Sequence, residues 1–236
     1  NTTAEVAAEF ALTLIVGGQE FATIVCTPAH LEELSVGFLA SEGVIRSIDD
    51  ISSLIIDADQ GFAYIELNNQ STINPFIYTK RRITSCCGKG RQSYYYASDA
   101  YTLTPVQSHM QLSPALCLSF MDDLTAHSTI HRSTGGVHSA ALRGITGEPL
   151  VYADIGRHNA LDKLYGTSLM RGIRTEHQAL VITGRISSEM VLKAVKIGSP
   201  FLLSKAAPTE LGLRIADEYG ITAVGFIRNG TFNVYT

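Results

Sequence analysis

The second half of the chain constrains the fold most, because apolar runs of strand length alternate there with stretches of helix length. ALVITG, SSEMVLKAVKIG, PFLLSK, APTELGLRIADEYG and TAVGFIRNG follow one another directly. Such a series buries its apolar strands only when they lie side by side with helices packed on them, which predicts an α/β layered sheet. Just upstream, VHSAALRG and PLVYADIG read as paired strands, and RHNALDKLYGTSLMRG reads as a helix. SPALCLSFMDDLTAHS is a further helix, opened by Ser113 and Pro114, and FNVYT is a short terminal strand.

The first 80 residues read differently, as a small β-rich unit with one helix. EFALTLIVGGQEFATIVCT holds two apolar runs around Gly17-Gly18, a hairpin signal. TPAHLEELSVGFLASEGV has helical spacing, with Thr27 as the expected N-cap and Pro28 at the first helical position. ISSLIID and FAYIELNN look like another pair of strands. The expected organisation is therefore a β-rich unit over 1–80, a mobile cysteine loop and connection over 81–107, and an α/β layered domain over 108–236.

Of the 236 residues, 45% are hydrophobic and 17% charged, which suits a folded core rather than a disordered chain. A net charge of −4 gives no bulk attraction to nucleic acid or to a membrane surface. No basic-then-apolar leader opens the sequence and no apolar run approaches the length of a membrane span. The first residue is Asn rather than Met, so a native N-terminal piece is expected to be missing. Four irregularly placed cysteines do not form a disulfide framework, and a reducing, cytoplasmic setting is expected. Cys26 and Cys117 lie in apolar segments and read as buried, inert thiols.

In a layered α/β sheet, ligands bind where strands end and helices begin. Three such junctions carry polar, Gly-bearing sequence: DIGRHNALDK (Asp154 to Lys163), TGRISSEM (Thr183 to Met190) and SKAAPTE (Ser204 to Glu210). Each helix start offers unpaired backbone N–H groups and a partial positive charge, so each could hold a phosphate. For any one junction, plain capping by Ser187 or Thr209 is the simpler account. Three together, with Arg157 and Arg185 directly after glycines, favour an anionic ligand. No Walker-type phosphate loop, Rossmann glycine fingerprint or zinc-deaminase pattern is present. His138, His158 and a cysteine pair could meet in space, but no pair has zinc-ligand spacing, so no intrinsic metal is expected.

KRRITSCCGKGR, residues 80 to 91, gathers Lys80, Arg81, Arg82, Lys89 and Arg91 around Cys86 and Cys87, in a chain with only 18 Lys and Arg. Nearby cations lower a thiol's pKa, and only the thiolate is a nucleophile. The same cations could receive an anionic partner, and Gly88 and Gly90 argue for a mobile loop. The bland alternative is a solvated basic loop whose cysteines only pack.

TSCCGKG, TGGVHSAAL, DIGRHNALDK, TGRISSEMVLKA, SKAAPTELGLRIADEYGITAVGF and FNVYT together resemble the FdhD family of formate dehydrogenase accessory sulfurtransferases. The resemblance implies a cytidine-deaminase-like α/β/α layered domain without the zinc motif. It also implies a cysteine persulfide, charged by a cysteine desulfurase and delivered to Mo-bis(molybdopterin guanine dinucleotide), or its tungsten counterpart. That cofactor, a bound substrate, is then inserted into formate dehydrogenase, and the carrier is a homodimer. The family loop reads T-S-x-C-G-x-C-G. Aligned without gaps, Cys87 takes the first cysteine position and becomes the carrier, Gly90 replaces the second, and Cys86 is an accessory thiol. A gapped alignment would let Cys86 and Cys87 stand for both. The family's cofactor-binding segment matches Phe226, Ile227, Arg228, Asn229, Gly230 and Thr231, where propensity alone gives only a hairpin turn. Arg157, His158, Arg185 and Ser187 are expected to line the same site. Two other readings remain: a cofactor chaperone that carries no sulfur, and a hydrolase in a deaminase-like pocket, which lacks its metal ligands.

Overall fold

The computed structural model describes residues 4–68, 81–83 and 103–236. Strands β1 (Phe10–Val16) and β2 (Gln19–Cys26) form an antiparallel hairpin. Its loop is Gly17-Gly18, with φ of 55° and 76°, the left-handed pair that a two-residue turn requires. Leu12, Leu14 and Val16 are fully buried, whereas the alternate residues Ala11, Thr13 and Ile15 lie on the more open face. β3 (Ile51–Asp57) and β4 (Phe62–Leu67) pair antiparallel, and β4 lies parallel to β1. β5 (Arg81–Ile83) runs parallel to β2, completing the order β3-β4-β1-β2-β5.

Helix α1 (Leu31–Ser41) covers the buried face with Leu34, Phe38 and Leu39. It starts later than the sequence suggests. His30, at φ 58°, stands at the N-cap, and Thr27 caps nothing. The hydroxyl and backbone N–H of Thr27 both donate to Asp154, 127 residues further on. A long-range carboxylate has taken the capping residue.

The second sheet follows two helices, α2 (Pro114–His127) and α3 (Thr129–Thr134). Ser113 caps α2 as expected, accepting from the Leu116 N–H. Strands β6 (His138–Arg143) and β7 (Leu150–Asp154) pair antiparallel. Then come α4 (Arg157–Arg171), β8 (Ala179–Ile182), α5 (Ser188–Ile197), β9 (Phe201–Ser204) and α6 (Glu210–Glu218). β10 (Thr222–Arg228) and β11 (Thr231–Val234) end the chain. The order is β11-β10-β9-β8-β6-β7. The pairings make β7, β8, β9 and β10 run one way and β6 and β11 the other.

Side-chain alternation divides this sheet between two cores. Ala140, Leu142, Leu180, Ile182 and Leu202 meet α4, α5 and α6 on one face. Ala141, Val181, Leu203 and Val224 meet Phe120, Met121 and Leu124 of α2 on the other. The protein is thus a mixed α/β fold with two sheets.

The sheets are joined through α1 and α4, which touch backbone to backbone. A Cβ on Gly37 would lie 1.7 Å from the Asp162 carbonyl oxygen, and one on Gly166 would lie 1.9 Å from that of Glu33. Only glycine at both positions permits this crossing.

Candidate functional site

Because β7, β8, β9 and β10 share a direction, their carboxyl ends lie along one edge of the sheet, where α4, α5 and α6 begin. The motif DIGRHNALDK enters α4 at this edge and divides by depth. Asp154, Asn159, Asp162 and Lys163 are buried, whereas Arg157 and His158 are half-buried.

The buried members form two joints. Asp154 Oδ2 accepts from Lys163 Nζ at 2.7 Å, Thr27 Oγ1 at 2.9 Å and the Thr27 N–H at 3.1 Å. Its Oδ1 accepts from the Gly156 N–H at 2.9 Å and from Asn159 Nδ2 at 2.8 Å. Asn159 Nδ2 also reaches the Val25 carbonyl at 2.9 Å, and Lys163 donates to Thr27 Oγ1 at 2.8 Å. An ion pair with both side chains fully buried is tolerable only when hydrogen bonds of this kind replace the lost water. The second joint is at Asp162, which accepts from Ser41 Oγ at 2.6 Å and from Lys193 Nζ. Lys196 then donates to the Ser41 carbonyl at 2.8 Å. Together the joints bind the end of β2, the end of α1, and α4 and α5 into one frame.

The half-buried members stand between the starts of α4 and α5. His158 Nε2 lies 3.1 Å and Arg157 Nη2 3.9 Å from Glu189 Oε2, so they share the carboxylate of Glu189. His138 opens β6 directly opposite Asp154 of β7. A Cβ on Gly184 would lie 3.5 Å from Arg157 Cδ and 3.9 Å from His138 Nδ1, so both side chains border that glycine. Burial first, then the Arg157 and His131 charges, pushes the His138 imidazole below its ordinary pKa and favours its neutral form. Ser187 stands at the N-cap of α5, but its hydroxyl makes no cap bond and, among the described residues, is buried without a partner. Arg185, just before it, is exposed.

The C-terminal segment occupies the same edge further along. Asn229 and Gly230, at φ 52° and 72°, form the two-residue turn joining β10 to β11, with Arg228 paired to Thr231. The hairpin read from propensity is there. Phe226 is the unexpected feature, since its φ is 56°, at the register shift between Gly225 and Arg228. An aromatic residue in this region costs ~1–3 kcal/mol, and such bulges re-aim side chains beside binding sites. Its N–H donates to the Ala206 carbonyl at 3.2 Å, and the Arg228 guanidinium carbon lies 5.4 Å from the centre of its ring. Ile227, by contrast, is buried in the core under α2.

Arg157, His158 and Ser187 thus gather at the starts of α4 and α5, and Phe226 to Thr231 at the β10 end. Sequence reasoning assigned no role in the site to Glu189 or Lys205, and considered His138 only as a metal ligand. A signal existed for His138, whose motif TGGVHSAAL stands out, but none for Glu189. Among the described residues, no group of three His, Cys, Asp or Glu could hold a metal ion, and no helix is long and apolar enough to cross a membrane. Cys26 and Cys117 are buried; burial, more than the nearby Asp154 charge, pushes the Cys26 thiol up to about 12 and makes it inert. Cys86 and Cys87 lie outside the described residues.

Comparison with known proteins places these features in a wider group. The family model described as "FdhD/NarQ family" matches residues 7–236. The sulfur carrier protein FdhD of Bacillus subtilis (strain 168) is 51% identical over 228 residues, covering 97% of this chain and 87% of that protein. The protein of the same name from Staphylococcus aureus (strain MRSA252) is 48% identical over 236 residues, covering 100% and 89%. A crystal structure from Desulfotalea psychrophila, described as a formate dehydrogenase accessory protein, has a TM-score of 0.79 and 26% identity. It covers 99% of this chain, which in turn covers 89% of it.

Proposed function

The chain belongs to the FdhD/NarQ family, and from that premise we propose that it is a sulfur carrier acting in formate dehydrogenase maturation. Its sulfur comes from a cysteine desulfurase and goes to the molybdenum or tungsten bis-guanine-dinucleotide cofactor, which is cargo rather than a resident group. The protein works as a cytoplasmic homodimer. The layered domain is of the cytidine-deaminase type, a reading supported by the sheet order with β6 antiparallel to both neighbours.

One observation carries the proposal. β5 lies parallel to β2 with Ile83 beside Ile24, so the chain enters the cysteine stretch heading the same way as β2. β2 ends two residues further along at Cys26, and the next residue, Thr27, has its side chain bonded to Asp154 at the foot of α4. Four residues of extended chain span at most ~14 Å, which bounds the distance from Ile83 to Cys87. Ile83, the last described residue before the cysteines, therefore lies on the strand beside the one that leads to the foot of α4.

In the first step the Cys87 thiolate attacks the outer sulfur of the desulfurase persulfide. A sulfur–sulfur bond forms to Cys87, the donor's sulfur–sulfur bond breaks, and the donor leaves as a thiolate. The surrounding cations raise the ionised fraction of Cys87. Arg157, His158, Arg185, Ser187 and the Phe226–Thr231 segment then hold the anionic cargo at the strand ends.

Intact-mass spectrometry after incubation with an active desulfurase and cysteine tests this. A sulfur adduct is expected on the wild type and on Cys86→Ala, and its loss on Cys87→Ala. Retention on Cys87→Ala would move the carrier to another thiol. No adduct on any form would replace the carrier by a chaperone that binds cofactor alone.

A further inference from the structure

Cations that are buried or half-buried here come, with few exceptions, beside a carboxylate. Lys163 has Asp154 at 2.7 Å, Arg143 has Asp123 at 2.8 Å, Lys193 has Asp162, and Arg157 has Glu189 at 3.9 Å. Lys205 departs from this rule. It is half-buried at the end of β9, and among the described residues its ammonium meets only Thr125 Oγ1, at 2.6 Å. An ammonium has three donors, so this contact leaves two unused.

The position is firmly built. Thr125 is itself tied to its helix, donating to the Met121 carbonyl at 2.8 Å. On the backbone side, Ser204 Oγ donates to the Gly184 carbonyl at 2.5 Å and accepts from the Ala206 N–H at 2.9 Å. The Ala206 carbonyl accepts from Phe226, the residue held at positive φ with Arg228 beside its ring. Among the described residues, a cation without a counter-ion therefore stands one residue before the carbonyl that holds Phe226, at the edge where β9 and β10 end.

We propose that Lys205 is an anion-binding residue of this edge, taking a phosphate of a nucleoside diphosphate. The proposal rests on the dinucleotide cargo argued above and names the residue that holds its charge. Arg157 and His158 already share the carboxylate of Glu189, so an approaching anion must compete for them. Among the described residues Lys205 faces no such competitor, and its partial burial strengthens the attraction. Thr125 holds the side chain in advance, which lowers the cost of ordering it on binding.

Calorimetric titration with pyrophosphate, guanosine diphosphate and guanosine tests the assignment on the wild type, Lys205→Gln and Lys205→Arg. Lys205→Gln is expected to weaken both phosphate ligands by ~10-fold or more, the size of a lost charge-assisted hydrogen bond, and to leave guanosine unchanged. Lys205→Arg should recover most of the loss. Equal binding of guanosine diphosphate by the wild type and Lys205→Gln overturns the role of Lys205 and leaves the cargo reading intact. Binding of pyrophosphate that needs Lys205, without binding of either guanine compound, upholds the anion site and removes the guanine cargo. A wild type that binds none of the three overturns both. Should Lys205→Gln fail to fold by circular dichroism, Thr125→Val keeps the ammonium and removes its anchor. Weaker phosphate binding with guanosine unchanged is then expected, and unaltered phosphate binding overturns the proposal.

Discussion

The two halves of DIGRHNALDK behave as different kinds of chemistry within ten residues. Asp154, Asn159, Asp162 and Lys163 are buried and answered group by group, from Thr27 on one element to Lys193 on another. Arg157 and His158 are half-buried and share one carboxylate at the start of α5. The inner half assembles the frame and the outer half is what a ligand would meet. A polar motif at a helix start thus need not be all site, and burial separates its members.

That contrast can be broken most sharply at the glycine crossing. Gly166→Ala puts a methyl group 1.9 Å from the Glu33 carbonyl, so α1 and α4 must part. Overpacking of backbone against backbone should cost more than ~3 kcal/mol in urea unfolding. An unchanged midpoint would mean that the crossing is not rigid. Next comes the inner half: Lys163→Met leaves Asp154 charged and short of a partner, which predicts a loss of similar size, ~3–5 kcal/mol. A loss under 1 kcal/mol, on the order of a surface pair, would erase the distinction between the halves.

A smaller effect is expected at His138. Its folded pKa lies below the ordinary value, so the folded state binds fewer protons than the unfolded chain around that value. The stability it contributes is fully present above ~6.5, its unfolded pKa, and is lost as pH falls through the lowered folded value. Unfolding curves from pH 7.5 downwards should show this decline, and His138→Gln should flatten it. The smallest change belongs to the outer half. Glu189→Gln removes a partly exposed pair and should alter stability by less than ~1 kcal/mol. The same change should tighten binding of pyrophosphate in titration, because Arg157 and His158 lose their competitor. Weaker binding would make Glu189 a ligand-contacting residue rather than a competitor.

Local chemistry made much of the architecture readable. Gly17-Gly18 announced a hairpin, Ser113-Pro114 a helix start, and the alternation after Ala179 a layered sheet. Thr27 misled for a reason that no local window contains: its partner is Asp154, far along the chain and on the other sheet. The buried role of Lys163 was hidden for another reason: its carboxylate, Asp154, stands nine residues earlier in the same motif, but the sequence does not show that both side chains are buried. Phe226 was assigned by resemblance, yet its positive φ runs against what an aromatic residue prefers, so propensity could not reveal it. Lys205 stood in a flagged junction but was passed over, because a lone lysine in sequence does not show whether an acid faces it.

The glycine crossing also has a consequence for making hybrids within this family. Gly37 and Gly166 work as a matched notch, each admitting the backbone of the other helix. A chimaera that takes its first sheet from one parent and its second from another must therefore carry compatible notches on both sides of the junction. The fusion point matters less than that pairing. Designers seeking a recombination boundary between the sheets should choose parents by the size of those two side chains, before considering overall similarity.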